Sequence, residues 1–343
     1  MKVLLVGDRG NSGSKFLAII EDVVGEPFKI PSVTRKVNLV NQGLQIEKTG
    51  SVFLWGDSAM HSLMGKKYTP LDENDKIKDL SVVVAAALVE LMPNGGAIEL
   101  SLCVSSPTYY KGIEQEIIRE MTKLDDGFSF EGRKYSVMLD KVAGFQEGIV
   151  FLENNQEFNG VIDLGQGTLL TGVRYPDYRG VMTLHLPGNN AGGCNLILQS
   201  LLTDNRFLKA VKTEGFASPP SFEKLSALLS QGRWQVKGID FKRFLKPHLQ
   251  IPKERIENAA QSIRAELRNA SPYEVVKPRI AFIGGGSSLM QGVLGDTLDK
   301  WCERHGLEMY TTSPDYQTVL QMYESLKKDP ARLVSVSATC SSQ

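Results

Sequence analysis

The sequence predicts an α/β protein made of two domains with related topology. Three observations carry this. A strand–turn–strand pattern opens the chain and returns about half a chain later, a glycine-rich strand-to-helix turn follows near residue 284, and the length of 343 residues suits about two domains at roughly 150 residues each. With 42% hydrophobic residues, a chain this long buries a core without disulfide or metal staples.

Lys2–Val6 (KVLLV) is a short apolar β-branched run, closed by Gly7 and Asp8, and reads as a buried strand ending in a turn. A polar turn of small residues follows, Gly10, Asn11, Ser12, Gly13 and Ser14, and then a second apolar run, Phe16–Ile20. Ser51–Trp55 and Ile98–Ser105 read as further strands. Leu80–Leu91 fits a buried helix stopped by Pro93, and Lys111–Leu124 an amphipathic one. Tyr135–Leu139 reads as a strand and Lys141–Leu152 as a helix. The opening pattern then returns. Gly160–Leu164 (GVIDL) is a strand carrying Asp163, followed by Gly165, Gln166, Gly167 and Thr168 and a second strand near Leu169–Tyr175. The repeat suggests a duplication in which the corresponding turns serve one ligand. Its boundary divides the chain into residues 1–158 and 159–343, with an insertion near 30–90 and a C-terminal helix near 314–328 able to return to the first domain. In the second half, Asn195–Leu202, Phe222–Ser230 and Lys253–Leu267 read as helices, and Arg279–Ile283 as a strand feeding Gly284, Gly285, Gly286 and Ser287.

Charge and cysteine usage remove several function classes. Lys+Arg and Asp+Glu both number 39, so no global field favours nucleic acid or a membrane surface. No stretch approaches 18 uncharged apolar residues, and the chain opens directly into a strand, so the expected compartment is the cytoplasm. The four cysteines and four histidines are scattered without metal-ligand spacing, which predicts reduced thiols and no zinc site.

The chemistry concentrates in three turns. In the first, backbone N–H groups of the small residues can point into one concavity and bind phosphate oxygens. Asp8 is too acidic to touch phosphate, so its natural task is to hold Mg²⁺, usually through water. Ser12, Ser14 and Lys15 can donate to the phosphates. The second turn, Asp163 to Thr168, has the same character. Taken singly, each of these two also reads as an ordinary β-turn; the pair, each straight after an apolar strand, is the signal. In the third, three glycines let the chain lie flat against a planar or anionic ligand at a helix N-terminus. The pattern is neither G-x-G-x-x-G nor a P-loop.

These three elements in this order resemble the actin, sugar-kinase and heat-shock-chaperone ATPase superfamily. Within it the chain is similar to the plasmid-segregation actin-like proteins of the ParM/StbA type, through Asp8–Lys15, Trp55–Ala59, Val104–Tyr110, Asp163–Thr168 and Gly284–Ser288. The resemblance implies two ribonuclease-H-like α/β domains around a nucleotide cleft, with ATP (or GTP) and Mg²⁺ as cofactors. It implies a filament-forming ATPase that self-associates, moves plasmid or phage DNA through an adaptor protein, and does not bind nucleic acid directly. Asp8 and Asp163 would attend the metal, with Asp163 also in the hydrolytic machinery. Asp140 would orient the attacking water, with Gln146 and Glu147 as alternatives; a helix cap is an equal reading of Asp140. Gly192, Gly193 and Asn195, together with Lys253 and Glu257, would face the nucleoside. The second loop departs from its relatives, because Leu170 stands where an acid is usual. A small-molecule kinase or phosphatase of the same fold, or a non-polymerising chaperone-like ATPase, are the competing readings.

Overall fold

The computed structural model describes residues 1–10, 13–38, 43–61, 66–68, 76–107, 110, 112–176, 179–184, 193–230, 232–270, 277–310 and 316–336. The chain separates into two compact units. The first comprises Met1–Val150 with Thr318–Gln343, and the second Phe151–Gln317.

Both units contain the same five-strand arrangement. In the first unit the order is Phe28–Ile30, Ser14–Ile20, Lys2–Arg9, Gly96–Ser106, Arg133–Gln146. In the second it is Val181–Thr183, Leu169–Arg174, Gly160–Leu164, Ile280–Ile283, Leu307–Met309. The first three strands of each set are antiparallel neighbours, and the last two join in parallel. In the first unit the sheet runs on through Phe128–Phe130 into Leu44–Ile46, Ser51–Trp55 and Thr34–Val37.

The strand sequences explain their placement. Gly160–Leu164 and Ile280–Ile283 are buried at every residue, as expected of inner strands covered on both faces. Their cover is helical. Gln250–Ala270 buries Ile256, Ala259, Ala260 and Ile263 in the second unit, where a Cβ on Gly160 would lie 2.6 Å from Ile263 Cγ2. Glycine at that position is what lets the helix approach the strand. In the first unit Leu80–Leu91 buries every residue from Leu80 to Val89, and Ile113–Met121 turns Ile113, Ile117, Ile118 and Met121 inward. Each Val, Leu, Ile or Met side chain among them contributes about 1.5–3 kcal/mol of transfer free energy on burial.

One expected element is corrected. Residues 141–152 are not a single helix, because the strand Arg133–Gln146 continues through Val142, Ala143 and Phe145, and the helix is the short Ile149–Asn154. The strand passes Asp140 by a register shift between Leu139 and Lys141. Asp140 is the extra residue of this β-bulge, which leaves the pairing intact on either side.

Cys103, Cys194 and Cys302 are buried free thiols. Burial pushes all three above the ordinary thiol range, Cys194 and Cys302 to about 12. Because the thiolate is the reactive form, a thiol reagent at pH 8 should leave these three unmodified in the native protein and label them rapidly in guanidinium. Peptide mapping that finds any of them modified at the exposed-thiol rate without denaturant would contradict their placement.

Candidate functional site

In the first unit, three adjacent parallel strands end together. Lys2–Arg9 pairs with Gly96–Ser106 up to Gly7 and Val104, and Gly96–Ser106 pairs with Arg133–Gln146 up to Ser106 and Gln146. Their carboxyl ends bring Asp8, Ser105 and Glu147 side by side, at the edge where open α/β sheets bind ligands. Ser105 Oγ lies 2.8 Å from Asp8 Oδ1 and 3.1 Å from Glu147 Oε1, so one hydroxyl proton is shared between two carboxylates. The hairpin register sets Lys15 opposite Asp8, and Lys15 Nζ lies 3.3 Å from Asp8 Oδ2. Lys76 pairs with Glu147 Oε1 and stands 3.7 Å from Asp8 Oδ1. Asp8, Lys76, Ser105 and Glu147 are all buried.

Burial alone would raise the Asp8 carboxyl, but the Lys15 and Lys76 ammonium groups and the Ser105 hydroxyl hold it down at about 2. Glu147 moves the other way. Burial, joined by the Asp8 charge, pushes it above the ordinary carboxylate range against the opposing pull of Lys76. The pair is thus an ionised acid beside a more basic carboxylate, a division suited to binding a cation with one and handling a proton or water with the other.

The turn beneath Asp8 is tied down by serines. Ser14 Oγ lies 2.8 Å from Ser32 Oγ, and Ser32 donates to the Gly10 carbonyl. Ser14, expected as a phosphate donor, is fully buried and engaged in this packing instead. Gly10 and Gly13 flank the turn, and Asn11 and Ser12 lie outside the described residues.

In the second unit, Asp163 stands at the end of its buried strand, and the turn to Thr168 closes through the Gly165 N–H donating to the Thr168 carbonyl at 2.9 Å. The start of helix Asn195–Thr203 is pinned to this turn by Cys194 N–H to Gly165 O at 3.1 Å and Asn195 N–H to Gln166 O at 2.8 Å. A Cβ on Gly193 would sit 2.3 Å from the Gly165 oxygen, so only glycine allows this contact. Gly284, at φ +94°, closes the arrangement, and its Cβ position falls 2.2 Å from Asp163 Oδ1 and 2.6 Å from the Leu164 oxygen. Gly285 opens the next helix, and the Ser287 hydroxyl donates back to the Gly284 carbonyl at 2.7 Å.

The two units, each with a carboxylate closing the first strand of a repeated five-strand sheet, have counterparts among solved structures. No protein-family profile matches the sequence, and no curated protein does. By structure the chain is similar to Ta0583, an archaeal actin homolog, with a TM-score of 0.60 at 16% identity over 95% of this chain and 100% of that one. It is similar to a 15-stranded ParM filament from Clostridium botulinum, with a TM-score of 0.58 at 15% identity over 95% of this chain and 99% of that one. It is also similar to Bacillus thuringiensis ParM with AMPPNP, with a TM-score of 0.58 at 14% identity over 95% and 99%. The fold is that of actin.

On this actin fold the sequence-predicted residues divide into those brought together and those set apart. Gly165, Gln166, Gly167, Thr168, Gly193, Asn195, Gly284, Gly285, Gly286 and Ser287 gather around Asp163 or on the turns joined to it. Gly192 lies outside the described residues. Lys253 and Glu257 do not join them. Lys253 lies 5.7 Å from the Trp301 ring centre, while Glu257 accepts from Trp301 Nε1 at 3.1 Å and pairs with His305 at 3.3 Å. These contacts join the helices Gln250–Ala270 and Asp296–Arg304. Asp140 is mid-strand at the bulge, neither a strand end nor a helix cap, and Glu147 is the carboxylate beside Asp8. Gln146 Nε2 donates to the Pro107 carbonyl at 3.3 Å. Ser105 and Lys76 were not anticipated.

The residues present suit a nucleotide. Around the second-unit turns, Gln166 Oε1, Asn195 Oδ1, Ser288 Oγ and Gln291 Oε1 are buried and have no hydrogen-bond partner among the described residues. Buried polar atoms are normally satisfied, so acceptors left open on the Asp163 turn and on the helices that start beside it leave hydrogen-bonding capacity for a polar ligand. Among the described residues no three His, Cys, Asp or Glu are placed to hold a metal. A Mg²⁺ ion here would therefore take water and phosphate as most of its ligands, with carboxylates supplementing them. No helix among the described residues is long and apolar enough to cross a membrane.

Proposed function

We propose that this chain is an ATP-binding and ATP-hydrolysing actin-like filament protein, acting in plasmid or phage DNA segregation through an adaptor, in the cytoplasm. The observation that carries the reading is the repetition, in both units, of a buried strand ending in a carboxylate and a tight small-residue turn. Support also comes from the filament and nucleotide-bound ParM structures among the similar proteins. Asp8 and Asp163 attend Mg²⁺, the turn amides and Lys15 receive phosphate oxygens, and the Gly284 turn receives the nucleoside. Glu147 orients the attacking water, the part expected of Asp140. Hydrolysis then weakens subunit contacts, so that the nucleotide times the filament.

Electron microscopy and light scattering with Mg-ATP test assembly, and phosphate release tests hydrolysis. Filaments that form with Mg-ATP and shorten as phosphate appears are the expected result. Phosphate transferred to a metabolite, with no assembly, would replace this reading with that of a kinase. Asp8→Ala and Asp163→Ala should each weaken Mg-nucleotide binding about 10–100-fold, the usual cost of losing a group that orients a metal's shell. Unchanged affinity of both variants in calorimetric titration would remove the two aspartates from the site.

A further inference from the structure

Two buried carboxylates sharing one serine hydroxyl repel each other unless one takes up a proton or a cation stands between them. This chain supplies that cation itself. The Lys76 side chain is 6% exposed and reaches both Glu147 Oε1 and, at 3.7 Å, Asp8 Oδ1. Its position is fixed from the strand that carries Asp8. Arg9, next to Asp8 in sequence and itself buried, donates to the main-chain carbonyl of Lys76 at 3.0 Å and to that of Lys78. Lys15 meanwhile covers the other Asp8 oxygen at 3.3 Å. Both oxygens of Asp8, and the Glu147 oxygen that shares Ser105 with it, thus already face an ammonium group.

We infer that Lys76 is a built-in counter-cation that holds the place of a divalent metal between Asp8 and Glu147, and keeps the nucleotide-free protein from binding metal alone. A lysine ammonium is a compact point charge on a flexible stem, able to stand in for a cation and to swing to another anion. A divalent ion entering this place meets an ammonium within about 4 Å in a poorly screened interior, where charge–charge terms reach several powers of ten in affinity. The metal therefore enters with phosphates, which supply ligands to the ion and a new partner to Lys76. This last step rests on the proposed nucleotide binding; the exclusion of metal does not.

The test uses the full chain without nucleotide, titrated with MnCl₂ and followed by the loss of the free Mn²⁺ spin-resonance signal. Wild type and Lys76→Arg should bind Mn²⁺ at this place at least ~100-fold more weakly than Lys76→Met, which should take up one ion. Adding Glu147→Gln to Lys76→Met should remove that ion. Equal Mn²⁺ affinity of wild type and Lys76→Met, whether both bind or neither does, overturns the inference. If Lys76→Met folds only with metal present, a thermal midpoint that rises with Mn²⁺ in the variant but not in wild type is the expected outcome. If Mn²⁺ restores neither Lys76→Met nor Lys76→Gln and binds to neither, the inference fails. A fluorescent ATP analogue measured in parallel separates the two proposals: a chain that binds no nucleotide yet gains a Mn²⁺ site in Lys76→Met loses the proposed function and keeps this one.

Discussion

Replacing Gly284 by valine is expected to abolish nucleotide binding and to lower stability by about 2–5 kcal/mol. Two costs add. The residue sits at φ +94°, where a side chain is strained by about 1–3 kcal/mol, and its Cβ would fall 2.2 Å from Asp163 Oδ1 and 2.6 Å from the Leu164 oxygen, an overpacking of similar size. Neither neighbour yields easily, because one is backbone and the other a buried carboxylate. Asp163 must therefore move, and the turn it anchors moves with it. Gly286 offers a graded comparison, since its Cβ would meet the softer Leu164 and Cys194 side chains at 2.4 and 2.6 Å. Urea midpoints and nucleotide titrations of Gly284→Val and Gly286→Ala give the readout. A Gly284→Val protein with wild-type midpoint and affinity would reduce the triple glycine to a plain connection.

Glu147→Gln is expected to slow ATP hydrolysis on the order of 10²-fold, the usual effect of removing a group that handles the proton of an attacking water. Nucleotide binding should change far less, because the contribution of such a group appears in the transition state. Filaments should then assemble and persist. Glutamine keeps the shape of the side chain and a hydrogen-bonding partner for Ser105 and Lys76, which alanine would strand in a buried site. Asp140→Ala should hydrolyse ATP at the wild-type rate, because the register sets Asp140 beside Leu100 and Ser101, back along the strand from Ser105, which touches Asp8. Single-turnover phosphate release from the two variants decides the assignment. If Asp140→Ala is slow and Glu147→Gln is not, the acid expected from the sequence is the right one.

Asp8, Asp163 and Gly284 were legible because their signal is local: an apolar run, then a carboxylate or glycine where the strand must end. Glu147 was obscured by a single residue. Asp140 looks like the polar stop of the strand Tyr135–Leu139, and the bulge that carries the strand past it leaves no mark in the hydrophobic pattern, so the following residues read as a helix. Lys76 could not be read at all. It lies in a charged stretch, Asp75 to Asp79, and becomes distinctive only through Arg9, Asp8 and Glu147, which are distant in sequence. Lys253 and Glu257 are hard to read for the opposite reason: a charged helix face gives no indication of which of its side chains meet another helix, as these two meet Trp301.

The first unit is assembled from both ends of the chain. Val334–Ser335 pairs antiparallel with Lys141 and Val142, and Met322 Sδ lies 4.0 Å from Cys103 Sγ, while the whole of Phe151–Gln317 belongs to the second unit. During synthesis the second unit is therefore complete as sequence before the first has received its last helix. Until that helix emerges, the surface around Cys103 has no cover from Met322, and it offers apolar area to chaperones or to other nascent chains. Birth order in this protein runs against position: the unit begun first is the one finished last.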